Sequence, residues 1–309
     1  MIAAFLGQVA HHGRFGLVAG LAAGLALPDA ALALRPWLPE LIGLLLAVTA
    51  LRIGPRAAFG SLAEFRGTLR AVAVFQMLLP CLALLLFRLA GHADTAIALI
   101  AVLWLAAPSV TGSPNFAILL GQPPAPALRL LVLGTALFPL TALPVFWLLP
   151  ALGGAAAAFG AAGWLMTVIA LSVGAGFLLR RWVLPAPDAE TVAALDGIAV
   201  ILLAVVVVGL MSALGPALAQ SPVQVAGWLV LACVLNWGAQ ALTLLVLKTR
   251  PERGPFGVVA GNRNIALFLI ALPPEITDPL LIFIGCYQIP MYLTPIVMQR
   301  LYRRASAAD

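Results

Sequence analysis

Apolar residues run along this chain in blocks of about 20, the length that crosses roughly 30 Å of hydrocarbon at 1.5 Å per residue. Ten such blocks are expected to form helices, near 11–27, 37–53, 69–90, 95–120, 127–152, 158–180, 191–214, 224–247, 255–272 and 279–302. One of them breaks its own pattern. In the stretch from Val258 to Ile270, Gly261-Asn262-Arg263-Asn264 places polar groups near the start of an otherwise apolar, helix-like run. A cationic side chain at mid-membrane costs about 3 kcal/mol on insertion scales, so such a residue faces a protein interior or a watery cavity and marks a pathway. Arg263 is therefore the first functional candidate.

The interrupted stretch has an echo 149 positions earlier, where Gly112-Ser113-Pro114-Asn115-Phe116-Ala117-Ile118-Leu119 repeats the order Gly-x-x-Asn-apolar-Ala-apolar-apolar. A second pair follows: Gly134, Pro139 and Pro144 in the fifth run return as Gly285, Pro290 and Pro295 in the tenth, offset by 151. Five helices separate the copies, an odd number, so the second half is expected to cross the membrane upside down relative to the first. The expected repeats are 1–152 and 153–309, with runs four and nine as the broken members. Inverted repeats with Gly/Pro-interrupted segments in matching positions point to the midplane binding site of a secondary transporter.

Composition agrees with a membrane chain: 63% of residues are hydrophobic and 9% charged, where a water-soluble domain carries roughly 25% charged residues. The mean hydropathy is +1.10. The net charge of +6 would raise the question of nucleic acid, but the basic residues gather at the ends of runs, so no nucleic-acid partner is expected and the lipid bilayer is. With ten crossings, one side holds Arg14, Arg52, Arg56, Arg66, Arg70, Arg129, Arg180, Arg181, Lys248, Arg250, Arg253, Arg300, Arg303 and Arg304, and the other only Arg35 and Arg88. The positive-inside rule then places both termini in the cytoplasm, with the protein in a bacterial inner membrane. The first residues lack the basic start of a secretory signal, so the first run is expected to be a retained helix. Cys81, Cys233 and Cys286 lie in apolar segments at spacings that fit neither a disulfide framework nor a zinc pattern.

Taken together, Gln76 and Pro80 in the third run, Ala107-Pro108-Ser109-Val110-Thr111-Gly112-Ser113-Pro114-Asn115 in the fourth, Pro139 in the fifth and Gly261-Asn262-Arg263-Asn264 in the ninth make the chain resemble the bile acid:sodium symporter family over nearly its whole length. The resemblance implies a core domain of helices 3–5 and 8–10, with helices 4 and 9 crossing at their unwound centres. It also implies a panel domain of helices 1, 2, 6 and 7, and an organic anion bound between the two. Members that couple to sodium carry Glu-x-Gly-x-Gln-Asn where this chain reads Val259-Ala260-Gly261-Asn262-Arg263-Asn264. The family's carboxylate is Val259 here and its ligand amide is Arg263. In helix 4, Thr111, Gly112 and Ser113 match the family's Thr-x-Ser-Asn, but Pro114 stands at the Asn position and Asn115 one residue late. The family's Ser and Thr ligands on helix 5 fall on Arg129 and Leu133. Gln76 is the clearest survivor.

Hard cations favour oxygen ligands that include a carboxylate, and no Asp or Glu lies within the third, fourth, fifth, ninth or tenth runs away from their ends. A family-type sodium site is therefore expected to be dismantled, with no metal or cofactor. One carboxylate with two sodium ions leaves a single net positive charge; Arg263 without a carboxylate leaves the same. The expected function is sodium-independent, alternating-access transport of a small organic anion. Sodium coupling through the remaining polar groups and an auxin-efflux-like carrier are alternatives. Resemblance to arsenite exporters is weakened because no cysteine lies near the fourth-run break. Catalysis is not expected, since no His lies inside a run and no paired Asp or His-Glu-x-x-His occurs; a receptor is disfavoured by loops no longer than about 20 residues.

The candidate site comprises Arg263, Asn264, Asn262, Asn115, Ser113, Thr111, Gln76 and Asn236, with Gly112, Pro114, Gly261, Pro139 and Pro290 as break or kink residues. Arg263 has two roles open to it, attracting the anion or clamping carbonyls freed at the crossing. Asn115 and Asn264 are expected to join the broken helices, and Gln76 and Asn236 to face the same crossing. Asp196 is expected in the first turn of helix 7 as a partner of the helix dipole, Arg129 as a topology anchor, and His11, His12 and His92 at helix ends.

Overall fold

The computed structural model describes residues 2–59, 65–149 and 154–307. It is 86% helical and, among the described residues, contains no strand. Among the described residues, seven helices are long and apolar enough to cross a bilayer: Pro28–Arg56, Phe65–Leu89, Pro124–Leu148, Ala155–Trp182, Ala189–Gln220, Pro222–Val246 and Leu280–Val297. The chain is an all-α polytopic membrane protein. The other three predicted runs form no continuous helix of that length. The boundary expected at residues 152 and 153 lies outside the described residues.

Two compact units divide the chain. The first holds α1 (Ile2–His11), α2 (Gly13–Ala26), α3 (Pro28–Leu34) and α4 (Leu38–Phe59), and, further along the chain, α10 (Ala155–Trp182) from Met166 onward, α11 (Ala189–Leu210) and α12 (Leu214–Gln220). Lipid tails are as apolar as leucine, so helices here associate by close packing of small residues. Along α2, Gly13, Gly16, Gly20 and Gly24 face Val200 and Ala204 of α11 and Met211 at its C-cap; a Cβ on Gly20 would lie 3.0 Å from the Ala204 carbonyl oxygen. On α11, a Cβ at Gly197 would sit 2.1 Å from the Leu6 carbonyl oxygen, so only glycine permits that approach.

Inside α4 the helix kinks at Gly54, whose φ of 74° lies in the region that favours glycine. Pro55 has no N–H for the Leu51 carbonyl four residues back. Arg180 supplies the missing donor, with Nη1 at 3.4 Å from the Leu51 oxygen and 3.5 Å from that of Arg52. Asp196 corrects an expectation: α11 begins at Ala189, so Asp196 lies in the second turn rather than the first. There it pairs with Arg52, Nε to Oδ1 at 2.7 Å and Nη2 to Oδ2 at 3.2 Å. The cap of α11 is Asp188, which accepts the Thr191 N–H at 2.8 Å; the Thr191 side chain and N–H hold the Asp188 carboxyl below its usual range.

The second unit holds α5 (Phe65–Ala73), α6 (Leu79–Leu89), α7 (Ala96–Ala106), α8 (Ser113–Leu119), α9 (Pro124–Leu148), the start of α10, α13 (Pro222–Val246) from Ala226 onward, α14 (Arg253–Gly261), α15 (Phe268–Ala271), α16 (Pro274–Val297) and α17 (Gln299–Ala307). Between α5 and α6 the helix widens into a π turn, Val74–Leu78, because Pro80 cannot donate and the Leu79 N–H reaches back to the Val74 oxygen. Phe268 on α15 is buried against Phe138 and Phe146 of α9, with ring centroids 5.0 and 5.8 Å away. Pro139 and Pro144 lie inside α9, and Pro290 and Pro295 inside α16, without ending either helix.

Candidate functional site

Helices α7 and α14 both stop inside the apolar part of the sequence, and for local reasons. Ala107 precedes Pro108 and is driven to extended backbone, φ −60° and ψ 142°, so α7 ends at Ala106. Helix α14 ends at Gly261; Asn262 and Asn264 have ψ of 87° and 67°, and a short 3₁₀ turn, Ile265–Leu267, leads into α15. Each stop strips backbone groups of their helical partners. The two stops satisfy one another: Ser109 and Arg263 face each other in an isolated antiparallel bridge. The Val110 N–H donates to the Asn262 oxygen at 3.0 Å, and the Asn264 N–H to the Pro108 oxygen at 2.8 Å.

Arg263 sits at this junction with only 2% of its surface exposed. Its backbone N–H donates to the Tyr287 hydroxyl at 2.8 Å, and that hydroxyl donates to the Gly261 oxygen. The guanidinium joins both breaks, Nε donating to the Ala260 oxygen and Nη1 to the Ala107 oxygen, each at 3.0 Å. Those carbonyls end α14 and α7, where each helix dipole presents roughly half a negative charge, so the cation is held at two favourable poles. The rings of Phe75 and Trp104 lie 5.0 and 6.0 Å from the guanidinium carbon. Among the described residues no carboxylate pairs with Arg263. Two of its five guanidinium N–H groups are engaged by protein carbonyls.

A buried amide network lies on the α13 and α16 side. Asn236 Nδ2 donates to the Gly261 oxygen at 2.6 Å and to Asn262 Oδ1 at 3.2 Å, while Asn262 Nδ2 donates to the Val258 oxygen at 2.8 Å. Gln240 Nε2 donates to Asn236 Oδ1 at 2.8 Å and to Thr294 Oγ1 at 3.1 Å. A Cβ on Gly261 would fall 2.3 Å from the Asn236 carbonyl oxygen, so α13 and α14 touch where only glycine fits.

The remaining candidates are placed unevenly. Ser113 is buried and accepts from the Ser109 hydroxyl at 2.7 Å. Gln76 is buried in the π turn, but its Oε1 accepts from Thr141 of α9 at 3.1 Å, and no hydrogen bond links it to either broken segment among the described residues. A Cβ on Gly134 would meet Gln76 Nε2 at 2.4 Å. Asn264 reaches the other segment through its backbone N–H, not through a side-chain hydrogen bond. Asn115 departs from expectation: it is exposed on α8, two residues past Ser113, and its side chain makes no hydrogen bond to the other segment among the described residues. Helix α8 begins at Ser113, and two residues at about 100° each carry Asn115 to the face opposite that buried side chain. Thr111 is half-buried, Gly112 caps α8, and Pro114 is in its first turn. Val259 is buried in α14, Pro139 is buried in α9, and the Pro290 carbonyl accepts from Trp237 Nε1 at 3.2 Å. Arg129 lies in the second turn of α9. His11 and His12 lie at the α1–α2 junction and His92 in the connection between α6 and α7.

Sequence reading passed over Tyr287, Thr294, Gln240, Ser109, Phe75 and Trp104. Two of them carried a signal in their spacing: Gln240 follows Asn236, and Ser109 precedes Ser113, by four residues, which stacks side chains on one face wherever the backbone is helical.

The fold and this junction define a class, a helical membrane protein with two interrupted helices joined backbone to backbone around a buried arginine. No protein-family model matches the sequence, and no characterised protein matches it closely.

Proposed function

We propose that the protein is a secondary transporter of a small organic anion, working by alternating access and resembling the bile acid:sodium symporters, without a sodium requirement. In this reading the seven long helices and three interrupted pairs, α1 with α2, α7 with α8 and α14 with α15, form ten crossings in two inverted repeats. Both termini then lie in the cytoplasm, and the protein in a bacterial inner membrane. The observation that carries the proposal is Arg263, a buried cation with no carboxylate partner among the described residues, held where two helices are broken. Non-helical backbone at membrane depth is tolerated only within protein or beside a water-filled cavity.

A tethered guanidinium does the electrostatic work of a bound cation and cannot diffuse away. An anion about 5 Å from it would gain about 3 kcal/mol at an effective dielectric of ~20, roughly a hundredfold in affinity.

The test is thermal stabilisation of the purified protein by a panel of carboxylates and sulfonates, in sodium and then in potassium, followed by uptake of the best ligand into proteoliposomes. A ligand that binds only the folded state stabilises it by about 2.7 kcal/mol at a hundred times its Kd. Equal affinity in both salts is expected, with a loss of roughly a hundredfold in Arg263→Gln. A strict sodium requirement in the unmodified protein would overturn the reading and leave Arg263 as a clamp.

A further inference from the structure

The C-terminal helix α17 carries Tyr302, whose surface is fully buried. Its hydroxyl donates to Gln240 Oε1 at 3.0 Å. Gln240 Nε2 donates to Asn236 Oδ1, and Asn236 Nδ2 to the Gly261 oxygen at the break. A polar line therefore runs from the last helix to the junction, and its direction is fixed by elementary donor and acceptor rules. A backbone carbonyl only accepts, so Asn236 must turn its nitrogen toward Gly261. Its oxygen then faces Gln240, which must present nitrogen in turn. Gln240 is left with an oxygen pointing at α17, and only a donor completes the line there. A hydroxyl on Tyr302 is that donor. Phenylalanine would keep the ring and leave a buried amide oxygen without this partner.

The same helix is tied to the outer ends of both broken segments. Arg253, the first residue of α14, donates to the Ala305 oxygen, and Gln122, just beyond α8, donates to the Ser306 hydroxyl at 2.9 Å.

We propose that Tyr302 is a positioning residue for the broken α14 segment: through Gln240 and Asn236 it sets the amide orientation that holds the Gly261 carbonyl and, next in sequence, Asn262 and Arg263. Its meaning for transport rests on the proposed function; its effect on the segment does not, and the two are tested apart.

Hydrogen–deuterium exchange on the full-length purified protein reads the segment directly, with no ligand present. In Tyr302→Phe, amides over residues 261–267 should exchange at least tenfold faster, while those in the middle of α9 stay unchanged. Ser306→Ala, which loosens the end of α17 without touching the line, should leave 261–267 as in the parent. Asn236→Leu should also speed exchange there. The double variant with Tyr302→Phe should add less than the product of the two single effects, because a line already broken at Asn236 no longer transmits the change at Tyr302. Unchanged exchange in Tyr302→Phe, an equal rise in Ser306→Ala, or full multiplicativity in the double variant would overturn the proposal. These outcomes stand whether or not any anion is found to bind.

Discussion

Replacing Tyr287 by phenylalanine removes one oxygen from the centre of the junction and leaves the ring. That ring stacks on Phe283 at 5.8 Å and meets Trp104 edge-on at 6.2 Å, so packing volume is conserved. The lost hydroxyl accepts the Arg263 N–H and donates to the Gly261 oxygen. Gly261 keeps a second donor in Asn236, at 2.6 Å. The Arg263 N–H keeps none and lies in non-helical backbone, where no turn of helix can reclaim it. One orphaned buried donor costs about 1–3 kcal/mol, so a loss of about 2 kcal/mol is expected. The protein holds its own control. Tyr292, five residues on along α16, has a buried hydroxyl with no hydrogen-bond partner among the described residues. Tyr292→Phe removes an unsatisfied group, and the variant should equal the parent or gain up to about 1 kcal/mol. Both are measured by titrating the purified protein from mild micelles with sodium dodecyl sulfate and following far-ultraviolet circular dichroism. Equal destabilisation by the two substitutions would refute the hydrogen-bond reasoning, because it would assign the effect to the ring rather than to the oxygen's partners.

Gly261→Ala should lower stability by about 3 kcal/mol or more, since its Cβ meets the Asn236 backbone, which cannot yield without moving α13; Gly227→Ala, inside α13 with its Cβ in open space, should leave it unchanged or raise it by up to about 1 kcal/mol in the same titration. For topology, single cysteines at Ala186 and Gln220 on a cysteine-free background should label from opposite sides of the membrane, Ala186 from the cytoplasm. Labelling of both from one side would remove the inverted-repeat reading.

Much of the helical skeleton is legible in the sequence alone, because crossing a bilayer is a local requirement: a run of about 20 apolar residues is sufficient to announce itself. The end of α14 is legible for an equally local reason, since Gly261-Asn262-Arg263-Asn264 puts polar groups where a lipid-facing helix would have none; α7 stops earlier than the Gly112-Ser113-Pro114-Asn115 motif marks, at Ala106 ahead of Pro108, and Pro114 lies inside α8. The buried arginine is likewise visible as a charge in an apolar run. What its guanidinium binds was decided by tertiary structure: Ala107 lies 156 residues away, and no spacing in the chain announces that carbonyl. The same holds for the amide line. Gln240 and Asn236 stand one helical turn apart, a relation readable from the sequence, but their joining of Tyr302 to Gly261 depends on α17 and α14 both packing against α13. Asn115 shows the reverse case, a residue matched in the repeated motif and then turned outward by the start of α8. Polarity and proline act on their neighbours and are written locally. Hydrogen-bond partners belong to whichever chemical groups the packed helices bring within 3 Å, and only the assembled fold sets that distance.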